Sequence, residues 1–203
     1  MKSLIIIDFQ YDFCNPKGSL YVKGAEEAKK GILKYMEANH ESFNQIIYTR
    51  DWHLDKDESF KKNGGTWPDH CVQYSEGAEI DKELYDGLAK YKKIDIQIVN
   101  KGTVFTHEEY GAFENIKCED EKKNKKDIKS YKFSNYELSS GAKITNNDIV
   151  VCGIAGDYCV KESIKNLLKH WKFNLKVLVS GVAFIDNGDT LKKFMKENNL
   201  VAA

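Results

Sequence analysis

Five short apolar runs punctuate the chain, at residues 4–7, 46–49, 94–99, 149–152 and 175–179. β-Branched residues dominate them, as expected of strands buried on both faces of a parallel sheet. Between the runs lie amphipathic stretches near 25–38, 80–91, 158–171 and 190–198. In the third, Val160, Ile164, Leu167, Leu168 and Trp171 recur at helical spacing and predict one buried stripe. Asp189 and Thr190 predict the N-cap and first turn of the last helix. Strand and helix therefore alternate, the pattern of β-α-β units around a parallel sheet, an α/β fold.

Two segments break the alternation. Residues 50–77 form a connection too long for a plain turn and carry Asp51, His53, Trp67, Pro68 and His70; such connections are usually functional or disordered. Residues 117–132 are dominated by lysine with some acid, which predicts a solvated charged insertion. No repeat or linker divides the 203 residues, so one domain spanning 1–203 is expected.

Lysine plus arginine number 31, as do the acids, and the formal net charge is zero. Without a basic field, nucleic acid and anionic membrane surfaces are disfavoured as partners. The apolar run near the N-terminus is broken by Asp8, too short for a signal-peptide core or a membrane span. A cytoplasmic location is the expectation. Five cysteines without CxxC spacing argue for reduced thiols and against a disulfide framework.

Candidate chemistry sits at strand exits. Asp8, Asp51, Lys101 and Cys159 each follow an apolar run closely, and open parallel sheets build their sites beyond the carboxyl ends of the strands. Any one of these residues is equally at home as a turn former; four together point to convergence. Cys159 lies where a strand hands over to a helix, where a thiol ionises more easily, while Cys152 within the preceding run reads as packing. Asp8 is a candidate base for the thiol, and Lys101 a cation to hold the Asp8 carboxylate. The glycine-flanked turn before Cys159 offers backbone N–H groups to an oxyanion, and Asp157 is a candidate N-cap. This is the logic of acyl transfer through a thioester. Asp51 and His53, at i and i+2, face the same side of an extended chain. With His70 they make a candidate divalent-metal set. Asp57 and Glu58 are candidate further ligands, directly or through water.

These residues carry a resemblance. "IIIDFQYDFC", "YTRDWH", "TWPDHC", "VNKGTVFTHEEYGAF", "VVCGIAGDYCV" and "VSGVAFID" resemble the nicotinamidase (pyrazinamidase) branch of the isochorismatase-like cysteine hydrolases. The resemblance runs over nearly the whole chain and implies a three-layer α/β/α fold with a six-stranded, mostly parallel sheet. It implies a catalytic triad of Asp8, Lys101 and Cys159, with Ala155 and Cys159 as oxyanion-hole donors. Asp51, His53 and His70 match metal ligands, for zinc first and iron or manganese as alternatives. Phe13, Trp67 and Tyr110 match aromatic positions around a pyridine ring, with Ile154 and Leu20 as further pocket residues. The Ile154–Ala155 peptide matches a position that is often cis. The implied activity is hydrolysis of nicotinamide to nicotinate and ammonia in NAD salvage, by a homo-oligomer. Tyr11 stands where asparagine is usual, and Glu58 where some relatives place a histidine ligand nearby. An N-carbamoyl compound is the alternative substrate, and a catalytically silent redox sensor the alternative class.

Overall fold

The first strand takes the centre of the sheet. In the computed structural model, which describes residues 1–103, 109–114, 116–117, 136–138, 143–170 and 173–203, the main sheet has six strands. They are β1 (Lys2–Ile7), β2 (Phe43–Asp51), β3 (Asp95–Lys101), β4 (Asp148–Gly153), β5 (Asn174–Val182) and β6 (Val201–Ala202). Their order is β3-β2-β1-β4-β5-β6 and every neighbouring pair is parallel. The helices of eight residues or more are α1 (Ala25–Asn39), α2 (Lys82–Ala89), α3 (Lys161–His170) and α4 (Asp189–Glu197), and a single helical turn, Tyr11–Cys14, follows β1. The chain builds outward from β1 to β3, then returns to start again at β4. With right-handed crossovers, α1 and α2 fall on one face of the sheet and α3 and α4 on the other. The order reverses between β1 and β4, where doubly wound sheets open a crevice for ligands.

Burial follows position in the sheet. From their second residues onward, β1 and β4 are wholly buried, as continuous apolar runs should be. β3 corrects the expectation that all five runs are covered on both faces. It is an edge strand, half exposed along its length, and Ile98 is 43% exposed. The two-residue β6, both residues exposed, left no periodic signal to read. Three further short strands, Ile116–Lys117, Tyr136–Leu138 and Lys143–Ile144, form a separate antiparallel sheet that the pattern did not anticipate. Residues 118–132 of the charged insertion, Cys118 among them, and Trp171 of the helical stripe lie outside the described residues. Of that stripe, Val160, Ile164 and Leu167 are buried and Leu168 is half-buried. Among the described residues, no helix is long and apolar enough to cross a membrane.

Helix starts differ from the sequence reading. α2 is capped as expected of an Asp-led helix, Asp81 accepting from the Leu84 N–H at 2.8 Å. α4 is capped by Gly188, not Asp189. Asp186, brought back by left-handed turns at Asn187 and Gly188, accepts from the N–H groups of Gly188 (2.9 Å) and Thr190 (3.0 Å). The stretch expected as one helix from Tyr158 begins instead as a π-turn, Gly156–Val160, before α3. Asp157 does not cap it: its carboxylate accepts from the Ile185 N–H at 2.9 Å and ties the turn to the chain leaving β5.

Candidate active site and metal centre

The site lies at the reversal point. Asp8 follows β1 directly, held at φ 46°, with its N–H on the Thr49 carbonyl at 3.1 Å. β4 ends at Gly153, whose φ of 125° and close approach to β1 admit no side chain; a Cβ there would lie 2.1 Å from the Ile7 oxygen. That contact lets the Ile154 N–H bond Ile7 at 2.9 Å. The Ile154–Ala155 peptide is cis. The π-turn then carries Cys159 over the end of β1.

Lys101 closes β3 and pairs in register with Asp51, the last residue of β2. Asp51 was expected just beyond its strand; inside the ladder its position is fixed by backbone pairing. The Lys101 ammonium meets four groups of the site: Asp51 Oδ1 at 2.5 Å, Asp8 Oδ2 at 2.9 Å, the Glu109 carbonyl at 3.1 Å and Cys159 Sγ at 3.7 Å. Thr49 donates its hydroxyl to Asp8 Oδ1 at 2.7 Å. Asp8, Asp51, Lys101 and Cys159 are all buried. The structure thus brings the expected Asp-Lys-Cys set together.

Electrostatics order these groups. Burial pushes the Asp8 carboxyl up to about 6, with Asp51 adding to the rise, against the pull of Lys101 and Thr49. Burial also raises Asp51, but Lys101 and His53 outweigh it and hold that carboxyl well below the usual range. Burial works against the Lys101 charge, yet Asp51 and Asp8 overcome it and keep the ammonium protonated far above its usual range. Cys159 departs from the helix-terminus argument. Burial pushes its thiol well above the ordinary cysteine value, and Asp8 and Asp51 add to the rise while Lys101 opposes it. Desolvation exceeds the benefit of a helix start. Such a thiol reacts only once a base takes its proton, and Asp8 is the carboxylate beside it, with an oxygen within 4.8 Å of Sγ.

The second cluster arises from the long connection after β2. Asp51, His53 and His70 bring one ligand atom each to within 4.8 Å of one another. Gln10 fixes Asp51 by its backbone, accepting from the Asp51 N–H at 2.7 Å and donating to the Asp51 carbonyl at 2.8 Å. His70 Nδ1–H donates to the Pro68 carbonyl at 2.8 Å, which leaves its Nε2 as the lone-pair atom. His53 Nδ1 bonds Asp57 at 2.9 Å, and its Nε2 is buried without a hydrogen-bond partner. Asp51 and Asp57 pull the His53 imidazolium up to about 9 against the opposing effect of burial, and burial lowers His70. A carboxylate, an orphaned imidazole nitrogen and a second oriented imidazole suit a divalent ion of the zinc, iron or manganese kind. Gly102 makes room for this arrangement: at φ 65°, a Cβ there would lie 2.7 Å from His53 Cε1. Asp57 is buried against His53 and Glu58 is exposed.

Between the clusters opens a small pocket. Phe13, Leu20, Trp67 and Tyr110 line it as expected, with Asp51, His70, Ala155 and Cys159. Ile154 does not; it is buried beside the pocket, on β1. Trp67 Nε1–H donates to the Tyr110 hydroxyl at 3.1 Å, fixing two aromatic walls. Tyr158, Val22 and Ile185 also line the pocket and were not singled out from sequence. Tyr158, packed edge-on against Trp67 at 5.5 Å, was signalled by its place immediately before Cys159. Thr49 and Gln10 were missed too, although each stands two residues from an expected site aspartate.

The Isochorismatase domain family matches residues 2–196. This chain belongs to that family. Within it, the chain is 29% identical over 186 residues to the nicotinamidase of Saccharomyces cerevisiae, covering 79% of this chain and 78% of the relative. The yeast nicotinamidase bound to the inhibitor nicotinaldehyde superposes with a TM-score of 0.75 at 26% identity, over 100% of this chain and 99% of that one. Pyrococcus horikoshii pyrazinamidase in complex with zinc gives 0.69 at 25% identity, over 99% and 97%. The six-stranded parallel sheet is thus shared with solved members of the isochorismatase family.

Proposed function

We propose that this isochorismatase-family chain is a metal-dependent cysteine amidohydrolase that converts nicotinamide and water to nicotinate and ammonia. The observation that carries the reading is Cys159 beside Asp8 and Lys101, opening into the aromatic pocket that Asp51 and His70 also line. The named relatives support the substrate.

Asp8 takes the Cys159 proton, and the thiolate attacks the carboxamide carbon. Ile154, Gly156, Tyr158 and Val160 give their N–H groups to backbone carbonyls, and the resemblance assigns the oxyanion to the N–H groups of Ala155 and Cys159. Loss of one such donor typically costs about 3 kcal/mol. Asp8 returns its proton to the departing nitrogen as the C–N bond breaks, leaving an acyl thioester and ammonia. Asp8 then draws a proton from water, whose oxygen displaces sulfur, and passes that proton to the departing thiolate to restore the thiol as the acid leaves as nicotinate. Lys101 stays protonated throughout and fixes Asp8. Asp51, His53 and His70 would hold a divalent ion, zinc first and iron or manganese as alternatives, which would supply a Lewis-acid template for the substrate.

The pocket walls favour an uncharged heteroaromatic amide over N-carbamoyl amino acids. Among the described residues lining it there is no lysine or arginine to receive the carboxylate of such a compound. The product acid suits a place in NAD salvage, and the chain is read as one domain acting in a cytoplasmic homo-oligomer. The test is incubation of purified protein with nicotinamide, in parallel with N-carbamoyl amino acids, while following ammonia and nicotinate and measuring bound metal by elemental analysis. Stoichiometric ammonia and nicotinate are expected. Ammonia from the carbamoyl compounds alone, or from neither, refutes the assignment.

A further inference from the structure

Asp57 lies outside the ligand set and has an unusual setting. It is 2% exposed, with Oδ2 2.9 Å from His53 Nδ1 and Oδ1 accepting from the Ser59 N–H at 2.9 Å. Its own carbonyl accepts from Asn63 Nδ2 at 2.8 Å and from the Phe60 N–H at 3.2 Å. The residue therefore cannot swing, and its two carboxylate oxygens have different fixed partners. An ionised carboxylate only accepts, so the proton on a neutral His53 ring stays on Nδ1. The other ring nitrogen is the buried Nε2 without a partner, 3.6 Å from Asp51 Oδ1.

We propose that Asp57 is the positioning residue of the metal centre: it holds His53 in the Nδ1–H tautomer and turns the Nε2 lone pair toward the site shared with Asp51 and His70. The inference rests on the metal-centre reading above and reassigns Asp57 from ligand to orienter. It also sorts the two acids of the loop, since Glu58, exposed one residue on, has no part in the centre. The partner on the far nitrogen of a metal-bound histidine commonly governs metal affinity by about 10–100-fold.

Asp57→Asn is the informative variant. Its oxygen can keep the Ser59 contact, and its amide N–H₂ then faces His53 Nδ1, favouring the tautomer with the proton on Nε2. The experiment titrates Zn²⁺ into the full-length metal-free protein against a chromophoric chelator, for the parent, Asp57→Asn, Glu58→Ala and His53→Ala. The visible bands of the Co²⁺-loaded proteins and the melting of the metal-free forms are recorded alongside. Expected are Zn²⁺ affinity at least about tenfold weaker in Asp57→Asn, displaced Co²⁺ bands, unchanged metal-free melting, and parent-like behaviour of Glu58→Ala. Affinity within about twofold of the parent, or a loss in Glu58→Ala in its place, overturns the assignment of Asp57 while His53→Ala still reports the centre. If the parent binds no better than His53→Ala, the metal-centre reading falls and takes this assignment with it.

Discussion

Thr49→Val tests the reasoning about the base. Thr49 is fully buried in β2 and donates to Asp8 Oδ1 at 2.7 Å. It also accepts from the Asp8 N–H at 3.2 Å, but that N–H keeps the Thr49 carbonyl at 3.1 Å after the change. Valine matches the shape, so the perturbation reduces to one hydrogen bond lost by a carboxylate. Bonds to charged groups contribute about 1.5–3 kcal/mol, equivalent to roughly 1–2 pKa units at 1.36 kcal/mol each. The sign is fixed: the hydroxyl favours the ionised form, so its loss raises the Asp8 carboxyl from about 6. Asp8 must be ionised to take the thiol proton. The acid limb of kcat/KM should therefore move up by about 1–2 pH units, with activity at pH 6 falling on the order of tenfold. The plateau on the alkaline side should be nearly retained. Initial rates of ammonia release from nicotinamide between pH 5 and 9 measure both. An unmoved acid limb, or a uniform loss at every pH, refutes the role given to Asp8 and its neighbour.

Other changes probe separate parts. Cys159→Ala should lower nicotinate formation by at least about a thousandfold while metal content by elemental analysis stays at the parent level; near-normal turnover would eliminate the thioester. Gly102→Ala puts a methyl group 2.7 Å from His53 Cε1 at a backbone angle of 65°. Chelator competition should then show roughly tenfold or greater loss of metal affinity, with lowered thermal stability. Ile32→Ala, in the fully buried face of α1, should cost about 2–5 kcal/mol in urea unfolding and leave the acid limb of the pH profile in place.

The strand exits were legible because parallel strands need continuous apolar runs, and the polar residue that ends each run stands out. Asp8, Asp51, Lys101 and Cys159 were found that way. Strand order was not legible, since runs of similar composition do not say which is central; the resemblance implied only six mostly parallel strands. β3 shows the cost: its isoleucines read like those of β1, but at the edge Ile98 faces outward. Side-chain caps were misplaced at Asp157 and Asp189 because a chain two or more residues away, at Ile185 and Asp186, competes for the same bonds. The direction of the Cys159 shift was invisible for another reason. A helix start is local and can be read from sequence, whereas desolvation depends on every element that closes over the thiol. Asp57 was visible as a candidate for the metal, but only the distance to Nδ1 separates an orienting carboxylate from a ligand.

Asp51 is where the two clusters become one site. Its Oδ1 lies 2.5 Å from the Lys101 ammonium and 3.6 Å from His53 Nε2, so a single oxygen faces both the lysine and the candidate metal ligands. Its backbone is held three times, by register with Lys101 and by two bonds to Gln10. A carboxylate on a flexible loop would choose between two such partners. One fixed in the ladder can serve both and, under the proposed mechanism, sets the distance between the thiol and the metal position. This explains why the motif is spread over the chain. Asp8, Asp51, Lys101 and Cys159 arrive on or just beyond four separate strands, and the pairing of those strands does the positioning that a local motif would otherwise have to supply.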